Sequence, residues 1–365
     1  MEVESNGNRQ PDPEPGPGPR TAPTELLSVV QVVRSDAFAG VERYMCQVAN
    51  GLAARGHHLT VIGGDPSRMR SELSDQIEQR EATTVLQAAR ALATQRHADV
   101  VHVHMTAAEG AAWLARPLQR APIVATRHFP GERGRGMVAR SLAHLAARPI
   151  ARDIAISRFV ADGVSGPTVL LPNAVPDQAQ AGLELPTVLM LQRLTEEKSP
   201  ELGIRIWADS GLGAAGWRLV VAGTGDRQPA MRELTDALGL ADSIEFVGQR
   251  SDTDRLLSQS SVVLATAPEE PFGLSVVEAM AHGVPVVAAE GGGHVETMGG
   301  DGMLFPPGDA GAASRALVRL AADRDLRRQV GERLRDRQRR MFSLQQHLDG
   351  LERVYGEVIA ERGRR

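Results

Sequence analysis

The sequence predicts an α/β protein of two doubly wound halves, each a parallel sheet with helices on both faces. Three observations carry this. From Leu26 onward, short runs rich in Val, Ile and Leu alternate with amphipathic stretches at helical spacing. The alternation breaks once, over the aperiodic, two-proline segment 173–186. A chain of 365 residues also exceeds what one ordinary core organises.

Taken in order, residues 1–25 hold six prolines, mixed charge and nothing to bury, so a disordered tail is expected there. The first half is expected over 26–174. Its first strand, Leu26–Val33, leads through the loop Arg34–Gly40 into a helix from about Val41 to Arg55, closed by Gly56. Further strands are expected at Leu59–Ile62, Asp99–His104, Pro122–Thr126, Asp153–Ile156 and Thr168–Leu171. The second half, 175–343, repeats the pattern at Thr187–Leu191, Arg218–Gly223, Ser243–Gly248, Ser261–Thr266 and Val284–Ala289. Pro285 suits the start of that last strand, since proline cannot donate to a ladder. Beyond Gly308 the chain reads as helical, with an arginine-rich stretch from Arg324 and a closing amphipathic helix over 344–361. Asp and Glu interleave with those arginines, which reads as a solvated helix face.

Composition excludes several function classes. A net charge of −4 gives no reason to expect a nucleic-acid partner. The single cysteine, Cys46, excludes an internal disulfide framework and fits a reducing compartment. No apolar run is long enough to span a bilayer and the N-terminus does not read as a signal peptide, so a cytoplasmic location is expected. The basic, partly apolar stretch 134–148 adds a candidate peripheral contact with the inner membrane face, through Arg133, Arg135 and Arg140. A helix packed on its own sheet explains the same stretch and is preferred.

The stretch Pro268–Glu296 concentrates the candidate chemistry. A mostly apolar strand there is flanked by two loop-to-helix turns, each with glycine and a carboxylate. Glu270 precedes the helix opened by Phe272-Gly273-Leu274, and Glu278 lies two turns along it; Glu296 follows Gly291-Gly292-Gly293. Exposed amides at helix N-termini suit anions, and carboxylates suit hydroxyls, so the pocket reads as one for phosphates and sugars. Glu270 and Glu278 also invite a glycosidase reading. A loop and a point two turns along the next helix do not straddle one bond, however, so these carboxylates are expected to grip different parts of one elongated ligand. A helix-capping role is the other reading of Glu278.

Cations are offered upstream. Of the 41 basic residues all but Lys198 are arginine, and Arg193-Leu-Thr-Glu-Glu-Lys198 follows a strand's carboxyl end. A guanidinium fork and a compact ammonium at that spacing can share a diphosphate; pairing with Glu196 and Glu197 on a surface loop is the alternative. His102 and His104 lie on one face of their strand, but no third metal ligand suggests itself, so a packed or cleft-lining pair is expected. His128 follows a strand at its carboxyl end, where ligands bind in such folds, with a satisfied loop histidine as the rival reading. Gly223-Thr-Gly225 is half a dinucleotide fingerprint, and none follows the first strand, where only Gly40 is available.

Together, Ala39-Gly-Val-Glu-Arg43, Asp99–His104, Thr126-Arg-His128, Leu171-Pro-Asn173, Gln192–Lys198, Val221–Gly225, Glu270–Ala288 and Gly292–Glu296 make a recognisable set. On these motifs the chain resembles the retaining nucleotide-sugar glycosyltransferases of family 4 over nearly all of 26–355. The resemblance implies the GT-B fold, two Rossmann-like domains facing across a cleft, with the closing helix crossing back to the first. It implies that Arg193 and Lys198 hold the donor diphosphate, that Glu278 holds the ribose, and that Gly40 and Gly223 belong to the donor site. Glu270 would contact the donor sugar with the amides of Phe272, Gly273 and Leu274, and His128 would lie by the reacting sugar; Glu270 and His128 form the implied catalytic pair.

The implied activity is transfer of a hexosyl group from a UDP- or GDP-sugar to a hydroxyl acceptor, with no metal or other cofactor. Two alternatives stand beside it: a catalytically silent nucleotide-sugar-binding module, and an NAD(P)-dependent oxidoreductase, which lacks its glycine fingerprint here. The chain departs from the family pattern at Ala39, Ala174 and Thr266-Ala-Pro268, where glycine, glycine and Pro-Ser are usual.

Overall fold

A computed structural model describes residues 25–131, 133–134 and 137–364. The tail expected over 1–25 lies, apart from Glu25, outside the described residues, as does Arg135. The first sheet comprises β1 (Ser28–Val33), β2 (His58–Ile62), β3 (Glu78–Arg80), β4 (Val100–His104), β5 (Ile123–Arg127), β6 (Ile150–Ala155) and β7 (Thr168–Leu170). The second comprises β8 (Thr187–Leu191), β9 (Arg218–Ala222), β10 (Ile244–Gly248), β11 (Val262–Ala265), β12 (Val286–Ala289) and β13 (Met303–Phe305).

The orders are β3-β2-β1-β4-β5-β6-β7 and β10-β9-β8-β11-β12-β13. All neighbours run parallel. Central strands of such sheets are buried on both faces, which is why they read as continuous apolar runs. The expected α/β architecture of two such halves is present. Each sheet reverses strand order once, between β1 and β4 and between β8 and β11, and the loops at those points open into a crevice. Pro285 immediately precedes β12 and contributes only its carbonyl, which accepts from Val263 N at 2.9 Å.

The edge strands β3 and β13, of three residues each, are not among the strands expected from the sequence. Glu78-Gln79-Arg80 is wholly polar and is set by its register on Thr60-Val61-Ile62 of β2.

The second half has one core cluster, with Trp207, Leu189 and Val263 within it, and the first sheet has one on each face. The closing helix, Leu344–Gly363, buries Leu348, Leu351, Val354, Tyr355 and Val358 in a cluster of the first half. Each large apolar side chain so buried stabilises that docking by roughly 1.5–3 kcal/mol. Val175 pairs with Ser343 in an isolated bridge, so the chain passes between the halves at two adjacent points.

One expectation about a basic segment needs correction, and a second segment can be described more closely. In the helix Arg324–Met341, three arginines turn inward. Arg327 donates to the Leu320 and Ala321 carbonyls, Arg337 to those of Glu296 and Thr297, and Arg335 to that of Gln178. They satisfy carbonyls that a purely solvated face would leave to water. In the candidate membrane stretch, Arg133 is buried, with Nε 2.7 Å from Glu109 and Nη2 2.6 Å from Asp153. Its charge is spent on an internal triad and does not face a lipid surface. Among the described residues no helix is long and apolar enough to cross a membrane.

Candidate active site

The crevice between the two sheets encloses about 920 Å³. His128, Gly40, Arg193, Lys198, Gly223, Glu270, Phe272, Gly273, Leu274 and Glu278 all line it. They arrive there on the loops and helix starts that follow β1, β5, β8, β9 and β11.

Lys198 closes the turn Glu196–Lys198, and Ser199 after it is left-handed at φ 46°. Its carbonyl accepts from Gln192 Nε2 and Thr266 Oγ1, which fixes the turn against β11. Lys198 Nζ lies 2.6 Å from Glu270 Oε2, with both side chains mostly buried. Glu270 is itself held by a backbone bridge to Gly292. Arg193 sits at the rim, paired to Glu197 at 2.8 Å with both side chains more than half exposed. The surface-loop reading thus describes Arg193 in this state, and the pair is worth at most about 1 kcal/mol. It can be given up to a stronger anion.

Gly273 begins the helix Leu274–Ala281 at φ 88°, with the amides of Leu274 and Ser275 unbonded among the described residues. Such amides concentrate positive potential. Gly223, at φ 136°, would place a Cβ 1.9 Å from the Gln192 carbonyl, so packing alone demands glycine there.

Glu278 faces back across the crevice to Arg43 of the helix Gly40–Ala54, Oε1 to Nη1 at 3.6 Å, and Arg43 also donates to Thr253 at 2.6 Å. Burial pushes the Glu278 carboxyl up to about 7, against the pull of Arg43. The loop before Gly40 is shaped by Glu42, which accepts from Ser35 Oγ and Ala39 N at 2.6 and 2.9 Å. Ala39 is extended (φ −133°, ψ −157°), a conformation any residue adopts, so a side chain here costs no backbone strain.

Glu296 is not part of this pocket. Its two oxygens accept from the amides of Arg158 and Phe159, both at 2.8 Å, which caps a short helix of the other half. The expectation that this second carboxylate offers itself to hydroxyls is therefore wrong. Ser157 Oγ adds a second link across the halves, donating to the Pro271 carbonyl at 2.6 Å.

Beneath His128 lies a buried polar network that sequence reasoning only half anticipated. His102 and His104 share one face of β4, ring centroids 4.3 Å apart. The closing helix supplies Tyr355 and His347, and the helix Gly40–Ala54 supplies Tyr44.

The proton directions can be read from one fixed end. The Pro172 carbonyl can only accept, so His347 donates Nδ1–H to it (2.7 Å) and accepts the Tyr44 hydroxyl at Nε2 (2.8 Å). His102 Nε2 pairs with the Thr126 hydroxyl and His102 Nδ1 with the Tyr355 hydroxyl, both at 2.7 Å. Burial pushes His102 and His128 down to about 3 and His347 to about 4, so all three are neutral. Tyr44, Tyr355 and His347 sit at helical core spacing, and no local signal separates them from apolar neighbours. Among the described residues no three His, Cys, Asp or Glu side chains are arranged to hold a metal.

The fold has solved counterparts. Anabaena HepE, crystallised in complex with UDP and glucose, superposes with a TM-score of 0.75 over 90% of this chain and 99% of that one, at 19% identity. Two family models tile the sequence, Glycosyltransferase Family 4 over residues 38–178 and Glycosyl transferases group 1 over 175–337. D-inositol 3-phosphate glycosyltransferase of Salinispora arenicola is 31% identical over 318 residues, 73% of this chain and 70% of that protein.

The chain belongs to the family 4, group 1 glycosyltransferases of GT-B fold. Other relatives match over less of their length. The aligned region is 31% identical to, but spans only 21% of, the exopolysaccharide phosphotransferase SCO2592 of Streptomyces coelicolor, against 53% of this chain. The chain likewise spans less than half of several further relatives.

Proposed function

We propose that the protein transfers a hexosyl group from a nucleoside-diphosphate sugar to a hydroxyl acceptor, with retention and without a metal. One observation carries this: phosphate-type and hydroxyl-type partners converge in a single crevice. Lys198, Arg193 and the free amides of Leu274 and Ser275 suit a diphosphate, while Glu270 and Glu278 suit sugar and ribose hydroxyls.

Breaking the anomeric bond leaves negative charge on the departing phosphate. Lys198 and the helix start meet that charge with groups already in place, which is where preorganised electrostatics acts most strongly. Glu270 is assigned to a sugar hydroxyl rather than to bond formation, so the acceptor attacks from the face the phosphate leaves and the phosphate takes its proton. Closure of the two halves over the donor would exclude water and limit its hydrolysis.

A thermal-shift screen with UDP-, GDP- and ADP-sugars identifies the donor, because a ligand that binds the folded state raises its melting temperature. Transfer to hydroxyl acceptors is then followed by NMR of the product anomer, with and without EDTA. No stabilisation by any of these donors, an inverted product or loss of activity in EDTA would overturn the corresponding part of the proposal. Donor binding without transfer or hydrolysis would make the protein a silent binding module.

A further inference from the structure

We infer that His104 is a positioning residue that fixes His128 as an N–H donor toward the crevice. The inference rests on the proposed place of His128 beside the reacting sugar. His104, on β4, is fully buried, and its Nδ1 lies 3.1 Å from Nε2 of His128. Tyr44 holds both rings edge-on, with centroids at 5.8 and 5.5 Å. His104 Nε2 is buried with no hydrogen-bond partner among the described residues.

Two neutral imidazoles sharing one hydrogen bond have two arrangements. If His128 donates from Nε2, His104 Nδ1 is the acceptor and its own proton must sit on Nε2, as a buried N–H with nothing to receive it. If His104 donates from Nδ1, its Nε2 carries only a lone pair. Orphaned buried N–H groups are the rarer of the two kinds of unsatisfied group, so the second arrangement is selected.

His128 Nε2 is then the acceptor, and the His128 proton resides on Nδ1, the ring nitrogen that His104 does not engage, on a residue that lines the crevice. Burial also holds both rings neutral, since it opposes their protonation. A neutral ring with its proton already on Nδ1 donates a hydrogen bond to a sugar or leaving oxygen and does not act as general base. That role agrees with an acceptor proton that departs on the phosphate.

The tautomer can be observed without substrate, by long-range 1H–15N correlation of ring-labelled histidine, with His128 assigned by loss of its signals in His128→Gln. The expected pattern is a protonated Nδ1 and a bare Nε2. His104→Phe, which removes the donor, should mix the tautomers and lower kcat by about 10-fold with donor Kd within twofold of wild type. His104→Asn, which restores an amide N–H near Nδ1, should recover most of both. A wild-type His128 carrying its proton on Nε2, or a His104→Phe protein with unchanged tautomer and kcat, overturns the inference. Should His104→Phe fail to fold, the wild-type spectrum and His104→Asn decide. Failure of wild type to transfer from any donor would refute the glycosyl-transfer reading separately.

Discussion

Lys198 Nζ and Glu270 Oε2 lie 2.6 Å apart, and neither residue has another ion partner among the described residues. In the proposed reaction the donor divides this pair, phosphate going to the ammonium and a sugar hydroxyl to the carboxylate. Lys198→Ala should therefore cut transfer by at least about 100-fold while the melting temperature stays within a few degrees. Lys198→Arg should rescue little, because a planar fork does not fill the place of a compact ammonium. Wild-type turnover in Lys198→Ala, measured with the screened donor, sinks the assignment.

Gly40 and Gly291 separate a ligand's demands from the fold's. A Cβ at Gly40 would meet only Leu274 Cδ2, at 3.8 Å, whereas one at Gly291 would lie 1.7 Å from the Pro268 carbonyl oxygen. Gly40→Ala should melt at or slightly above the wild-type temperature yet bind donor about 10-fold more weakly, by crowding the phosphates. Gly291→Ala should lose roughly 2 kcal/mol or more in denaturant unfolding. Unaltered donor affinity in Gly40→Ala would remove Gly40 from the site.

Donor affinity should depend on pH through Glu278. Its carboxyl, pushed up to about 7, keeps a proton below that pH and accepts ribose hydroxyls fully only above it. Calorimetric affinity should strengthen as pH rises through about 7, and the dependence should flatten in Glu278→Gln. The effect on stability has the opposite sign. Between the ordinary glutamate value and about 7 the folded state binds the extra proton, so this group's contribution falls as pH rises.

The buried histidines predict acid lability. Their folded values, about 3 for His102 and His128 and about 4 for His347, lie below that of an unfolded histidine. The unfolded chain therefore takes up protons first, and stability is lost as pH falls below about 6.5. At about pH 5 each costs about 2 kcal/mol, so equilibrium unfolding should move sharply to lower denaturant between about pH 6.5 and 5. Replacing His347 with Gln should soften that dependence. A stability profile flat across this range would contradict the neutral network.

Much of the fold could be read in advance because its strands are buried on both faces and advertise themselves as apolar runs; β3 could not, since Glu78–Arg80 is polar and pairs only by register. Within the crevice, Lys198, Glu270 and His128 were legible because residue type and position at a strand's carboxyl end together imply chemistry. What the sequence hid were pairings over long separations. Arg43 meets Glu278, Glu296 caps a helix 138 residues away, and His347 bonds a tyrosine 303 residues distant. No local periodicity encodes such partners. Glu296 in particular matched the spacing of a ligand-binding carboxylate while its oxygens were already committed.

That commitment says how the crevice can open. The short helix Arg158–Ala161 of one half takes its terminal carboxylate from the other, and uncapping a helix costs about 1 kcal/mol. A translation pulling the halves straight apart would break that seat, the Ser157–Pro271 bond and the Arg43–Glu278 contact together. A rotation centred on Glu296 would keep the first two and part the last together with the Arg43–Thr253 bond. Glu296 thus sits where such a swing would pivot, and Arg43, held by Glu278 and Thr253, where it would part.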